Sequence, residues 1–122
     1  MEYGVVIVSH VSEIAQGVKR LIEQVAKDVP VTIAGGLENG DVGTDMQRII
    51  QAFEDNSATK LLAFYDLGSA KMNLEMAIEM TDKEVKLYDT ALVESAYTAA
   101  ALLQVETKIE DVEAQLKDLK VK

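Results

Sequence analysis

Two hydrophobic periods share this chain: short β-branched runs, and longer stretches in which apolar residues recur every three or four positions. Val5-Val6-Ile7-Val8, preceded by Tyr3-Gly4, has the content and length of a strand buried on both faces. From Ser12, placed to cap a helix, Ile14, Ala15, Val18, Leu21, Ile22 and Val25 follow helical spacing until Asp28 and Pro30 stop the run. The alternation then repeats. Val31-Thr32-Ile33-Ala34 is a second strand, and a glycine-studded loop from Gly35-Gly36 through Gly40 to Gly43 leads into a helix faced by Met46, Ile49, Ile50 and Phe53. Asn56-Ser57 breaks that helix, Lys60 to Tyr65 reads as a third buried strand, and Asp66-Leu67-Gly68-Ser69 follows, with Ser69 placed to cap a third helix. Val85 to Tyr88 is a fourth strand, running through Asp89-Thr90 into a helix that carries Leu92, Val93, Ala96, Ala99, Ala100 and Leu103.

Four strand–helix pairs at this spacing predict parallel pairing, right-handed crossovers and helices on both faces. The expected class is α/β, an open doubly wound parallel sheet of four β–α units. Beyond Gln104 the chain becomes strongly charged, with Ile109, Val112, Leu116 and Leu119 spaced three, four and three apart. This predicts a further helix at about 106–120, whose narrow apolar stripe packs on the body or against a second copy. A length of 122 residues fits one domain, 1–122, with its core in 1–104.

Composition narrows the chemistry. Twelve Lys and Arg against 21 Asp and Glu give a net charge of −9, a poor match for nucleic-acid phosphates or anionic membrane surfaces. With no Cys and one His, the chain offers neither a disulfide framework nor a multi-histidine metal site, so no metal is expected. No apolar run approaches the roughly 20 residues that span a bilayer, and Met1-Glu2-Tyr3-Gly4 lacks the basic stretch of a signal peptide. A cytoplasmic protein is expected.

In open α/β sheets, ligands bind outside the carboxyl ends of the strands, where the strand order reverses. With order 2-1-3-4, strands one and three are neighbours, so Ser9-His10 and Asp66 face each other across that crevice. A carboxylate on one imidazole nitrogen fixes the tautomer and frees the other nitrogen as nucleophile or base. The plainer alternatives are a lone histidine satisfied at a strand end and, for Asp66, a turn residue before Gly68. Gly68-Ser69 at a helix start suits an anion, and Thr44 beside Gly43 adds a hydroxyl. No dinucleotide fingerprint follows the first strand and no P-loop lysine pattern occurs, which disfavours a nucleotide as primary ligand. Met72, Met76 and Met80 lie four apart on the third helix, opposite Leu74, Ala77 and Ile78, and read either as core or as a dimer or partner surface. The charges of the last helix read as a solvated face.

Val8-Ser9-His10, Ala34-Gly35-Gly36 with Gly43-Thr44-Asp45, Asp66-Leu67-Gly68-Ser69-Ala70 with Asn73, and Leu92-Val93-Glu94 together resemble one family. It is the phosphotransferase subunit of phosphoenolpyruvate-dependent dihydroxyacetone kinase, similar in turn to the IIA domain of mannose-type sugar phosphotransferase systems. The resemblance covers residues 1 to about 104. It implies a phosphoryl relay in which His10 takes a phosphoryl group from the histidine phosphocarrier protein. The group then passes to ADP held by a partner kinase subunit, with no cofactor in this chain itself. Asp66 takes the place of the aspartate that orients the histidine, and Ser9, Gly36, Thr44, Gly68 and Ser69 fall in the loops expected around the phosphoryl group. A homodimer is expected as well. Mannose-type relatives carry a longer Gly-Gly-Ser-Pro turn after the aspartate, so the short Gly68-Ser69-Ala70 favours the kinase subunit. The rival is a sugar-system IIA component that hands phosphate to a IIB protein. Ser95 stands where the family pattern has a glycine.

Overall fold

The computed structural model describes residues 1–122. Strands β1 (Tyr3–Ser9), β2 (Val31–Gly35), β3 (Lys60–Tyr65) and β4 (Glu84–Tyr88) form one sheet in the order β2-β1-β3-β4, with every neighbouring pair parallel. Helices α1 (Ser12–Glu23), α2 (Met46–Asp55), α3 (Lys71–Met80), α4 (Leu92–Gln104) and α5 (Ile109–Lys117) complete the doubly wound α/β layout expected from the sequence.

The all-apolar first strand divides two cores. Val5 and Ile7 pack with Leu62 and Phe64 beneath α1, α4 and α5, while Val6 and Val8 pack with Leu61, Ala63 and Tyr65 beneath α2 and α3. Successive side chains point to opposite faces, so a strand covered by helices on both sides must be apolar at every position. Helix α5 packs on the body: Val112 and Leu116 belong to the α1/α4 core and Ile109 and Leu119 border it.

Several boundaries differ from the sequence reading. Ser12 is the first helical residue of α1 rather than its cap, and its hydroxyl accepts from Gln16. The helix ends at Glu23, well before Pro30, and only Ala15, Val18 and Ile22 face the core. Ile14 and Leu21 are exposed, because six apolar positions spread over a wider arc than one sheet face covers. Asp45 caps α2 by accepting from the Gln47 amide. Ser69 caps nothing, lying inside a 3₁₀ turn, Gly68–Ala70, that precedes α3. Ser95 is fully buried, its hydroxyl taken up between Thr90 and the Ala91 carbonyl, so a side chain fits where the family pattern has glycine.

Asn56, expected only as a helix breaker, fastens the amino ends of the strands. It is 2% exposed; its amide donates to the carbonyls of Val5 and Pro30, and its carbonyl accepts from Ala58 N. Gly4 passes so close that a Cβ there would lie 2.3 Å from Asn56 Oδ1. Asn56→Ala removes the side-chain partners of the Val5 carbonyl and the Ala58 amide in the core and is expected to cost about 2–3 kcal/mol. Urea unfolding should show this as a lower midpoint at unchanged m-value.

Candidate active site

The strand order reverses between β1 and β3, whose carboxyl ends therefore flank the crevice of the fold. His10 leaves β1 directly after Ser9, and Asp66 leaves β3 directly after Tyr65, with Asp66 N donating to the Val8 carbonyl. Residues 56 apart thus meet: His10 Nδ1 lies 2.8 Å from Asp66 Oδ1.

Asp66 is held by four donors. Its Oδ2 accepts from Ser9 Oγ at 2.8 Å and from the His10 amide at 2.9 Å, and its Oδ1 accepts from the ring and from the Leu67 amide. Burial pushes the carboxyl pKa up, but these hydrogen bonds from His10, Ser9 and Leu67 outweigh it and hold the group below its ordinary value. The carboxylate is therefore ionised at neutral pH and only accepts, so Nδ1 carries a proton and the lone pair of the neutral ring lies on Nε2. Nε2 lies 2.7 Å from Ser69 Oγ in exposed surroundings. The His10 side chain is 16% exposed, enough for one ring edge to meet solvent while the other stays clamped.

The remaining residues marked in the sequence divide by role. Ser9 is fully buried and acts on Asp66, out of reach of a surface ligand. Gly36 is buried too, and its amide is spent on the Ser9 carbonyl. Its φ of +67° and a would-be Cβ 3.1 Å from the Asp41 carbonyl require glycine there. Gly43 N donates to the His10 carbonyl, which draws the loop with Thr44 to the histidine; Thr44 Oγ1 accepts from Asn73. Gly68 and Ser69 are exposed in the first turn before α3, next to Nε2.

A second polar group forms at the ends of β3 and β4, where the sequence marks Asp89-Thr90 as strand-end residues without partners. Tyr65 Oη donates to Asp89 Oδ1 and Lys71 Nζ lies 3.0 Å from Asp89 Oδ2. Burial of Asp89 favours its neutral form, but these bonds from Tyr65 and Lys71 prevail and lower its pKa. Lys122 Nζ donates to the carbonyls of Tyr65 and Thr90. Asp89 was legible as a residue following a strand; Lys71 and Lys122 carried no signal, because only the fold brings them there.

The site is a surface feature. The largest cavity, about 440 Å³, lies at the opposite end of the sheet between Met1, Tyr3 and the residues from Leu103 to Glu110, and none of the three cavities is lined by His10. No helix is long and apolar enough to cross a membrane.

Comparison with known proteins points the same way as the geometry. The family described as PTS system fructose IIA component, EIIA-man, matches residues 4–113, which carries the similarity past residue 104 and through most of α5. The phosphotransferase subunit DhaM of the PTS-dependent dihydroxyacetone kinase of Lactococcus lactis is 51% identical over 98% of this chain and 97% of its own length. The phosphoryl donor subunit DhaM of PEP-dependent dihydroxyacetone kinase 1 of Listeria innocua is 45% identical over 98% and 97%. A crystal structure of a protein of unknown function superposes with a TM-score of 0.86 at 28% identity, covering 100% of this chain and 98% of that one.

Proposed function

The chain belongs to the EIIA-man family and, within it, resembles the DhaM subunits along nearly its whole length, and from that membership we propose that it is the phosphoryl donor subunit of a dihydroxyacetone kinase. The observation that carries the reading is the imidazole clamped through Nδ1 on an ionised Asp66 with Nε2 turned outward. The phosphoryl group arrives from the phosphohistidine of a histidine phosphocarrier protein. The Nε2 lone pair attacks phosphorus, a new N–P bond forms as the donor's N–P bond breaks, and that electron pair stays on the donor ring. Asp66 balances the positive charge the His10 ring acquires, as phosphoryl transfer needs positioning and electrostatics above all. In the second step a terminal oxygen of ADP, bound in the partner kinase subunit, attacks phosphorus; ATP forms and His10 is released.

Relay between two macromolecules favours a shallow site and brief, modest interfaces. The outward position of Nε2 supports this. Met72, Met76 and Met80 are 71%, 44% and 66% exposed, which excludes simple core packing; an apolar ridge of this kind suits a homodimer or partner surface. A homodimer through this ridge is expected to raise the mass measured by light scattering with protein concentration, and a constant monomer mass up to millimolar concentration removes it.

The family description, a sugar-system component, favours one second reading: a IIA protein that passes phosphate to a IIB partner. The test charges the protein with phosphoenolpyruvate, enzyme I and the phosphocarrier, then offers an ADP-loaded dihydroxyacetone kinase subunit or a mannose-type IIB protein. Formation of ATP on the kinase subunit is expected. Transfer to the IIB protein alone replaces the first reading with the second.

A further inference from the structure

Residues beyond α5 fold back across the carboxyl ends of the sheet. Ala91 N donates to Leu119 O, Thr90 and Lys120 form an antiparallel bridge, and the amides of Val121 and Lys122 donate to Asp89 O. This brings Lys122 Nζ 2.9 Å from the Tyr65 carbonyl, close to the Thr90 carbonyl at 2.6 Å, and 4.6 Å from the centre of the Tyr65 ring. The Tyr65 carbonyl belongs to the peptide that joins Tyr65 to Asp66. One peptide unit therefore separates the ammonium from the residue that clamps His10.

The charges around it are unbalanced. Lys71 is paired with Asp89, and Lys120 also acts on Asp89, whereas the partners of Lys122 are neutral carbonyls and a ring face, so its charge is not cancelled by a direct ion pair. The crevice already holds the Asp66 carboxylate, and the chain as a whole is −9. A phosphoryl group on Nε2 adds further negative charge across the imidazole from Asp66. We propose that Lys122 is a positioning residue for phosphoryl transfer, its ammonium fixed behind Asp66 by the Tyr65 and Thr90 carbonyls to offset that added charge. This rests on the phosphohistidine reading of His10.

Burial lowers the Lys122 pKa, and attraction to Asp66 and Asp89 opposes the shift without cancelling it. The groups facing Lys122 are Tyr65 and Asp66 at the end of β3, Asp89 after β4, Lys71 at the start of α3, and Lys120 on its own segment. A depressed folded pKa means that the charge is present at neutral pH and lost as pH rises, earlier than for an ordinary lysine. Arginine stays protonated throughout.

The experiment measures single-turnover transfer from charged phosphocarrier to wild type, Lys122→Met and Lys122→Arg between neutral and alkaline pH, with melting temperatures alongside. Lys122→Met is expected to slow transfer about fivefold, the size of one partly screened charge acting from behind Asp66. Lys122→Arg should restore the neutral rate and, relative to wild type, remove the fall on the alkaline side. Wild-type rates in the Met variant overturn the proposal. So does an Arg variant that melts like wild type yet transfers as slowly as the Met variant, or one that keeps the alkaline fall. If the wild type takes up no phosphoryl group while the phosphocarrier is charged, the phosphohistidine reading falls and this proposal falls with it; a charged wild type with unaffected variants overturns the proposal alone.

Discussion

His10→Ala is expected to take up no phosphoryl group from charged phosphocarrier protein, a loss of at least about a thousandfold in transfer rate, because the variant removes the nucleophile itself. The chain contains one histidine, so no neighbouring imidazole substitutes for it. Intact-mass analysis after incubation with phosphoenolpyruvate, enzyme I and phosphocarrier should show one acid-labile adduct on the wild type and none on the variant. Folding should survive, since the ring sits at a strand end and outside both hydrophobic cores. An adduct of equal yield on His10→Ala refutes the phosphohistidine assignment, and the clamp on Asp66 becomes a structural contact only.

The second large effect belongs to Asp66→Asn. The carboxylate accepts four hydrogen bonds, and an amide of the same shape accepts at one atom and donates at the other. If the amide nitrogen turns toward His10, the ring presents an unprotonated Nδ1 and carries its proton on Nε2, the atom that must attack. Loss of the carboxylate also leaves the positive charge of the phosphorylated ring unbalanced. In a serine-protease triad the equivalent change costs about 10⁴-fold; here, with no proton relay to a hydroxyl, about 10²- to 10⁴-fold is expected. Rapid-quench transfer should fall while binding of the phosphocarrier, followed by titration calorimetry, stays near wild type. The ring nitrogens of the sole histidine can be followed by ¹⁵N NMR, and an unchanged tautomer together with an unchanged rate sinks the account. The lowered Asp66 pKa has a second consequence for the wild type. Its contribution to stability is fully present above the unfolded carboxyl value and is lost as pH falls through the still lower folded value. Asp66→Asn should therefore flatten part of the acid side of the stability–pH curve.

The sheet was legible because its signal is local. Val5 to Val8 and Lys60 to Tyr65 are apolar at nearly every position, the pattern demanded of strands covered on both faces; the opposition of His10 and Asp66 followed once the order 2-1-3-4 was assumed, and the sheet has that order. Helix ends were read less well. Val25 continues the spacing of α1, yet the helix stops at Glu23, since the backbone must turn there to bring Pro30 and Val31 alongside β1. Ser12 and Ser69 have the chemistry of caps but lie where their hydroxyls find other partners, Gln16 and His10. Ser9 and Gly36 lie beside His10 and Asp66 but are buried with hydroxyl and amide engaged, which their neighbours along the chain do not reveal.

By itself, then, the order of residues determined the class of fold, the two residues that meet at the crevice and the absence of any second histidine to share the chemistry, since each depends on local pattern or on identity alone. Only the tertiary structure decided which imidazole nitrogen points outward, that Ser9 serves Asp66 from below, that the methionine ridge is exposed, and that Lys122 returns from the end of α5 to the Tyr65 carbonyl. Those are contacts between segments distant in the chain, and their hydrogen-bond directions and burial exist only once helices and strands have packed into one arrangement.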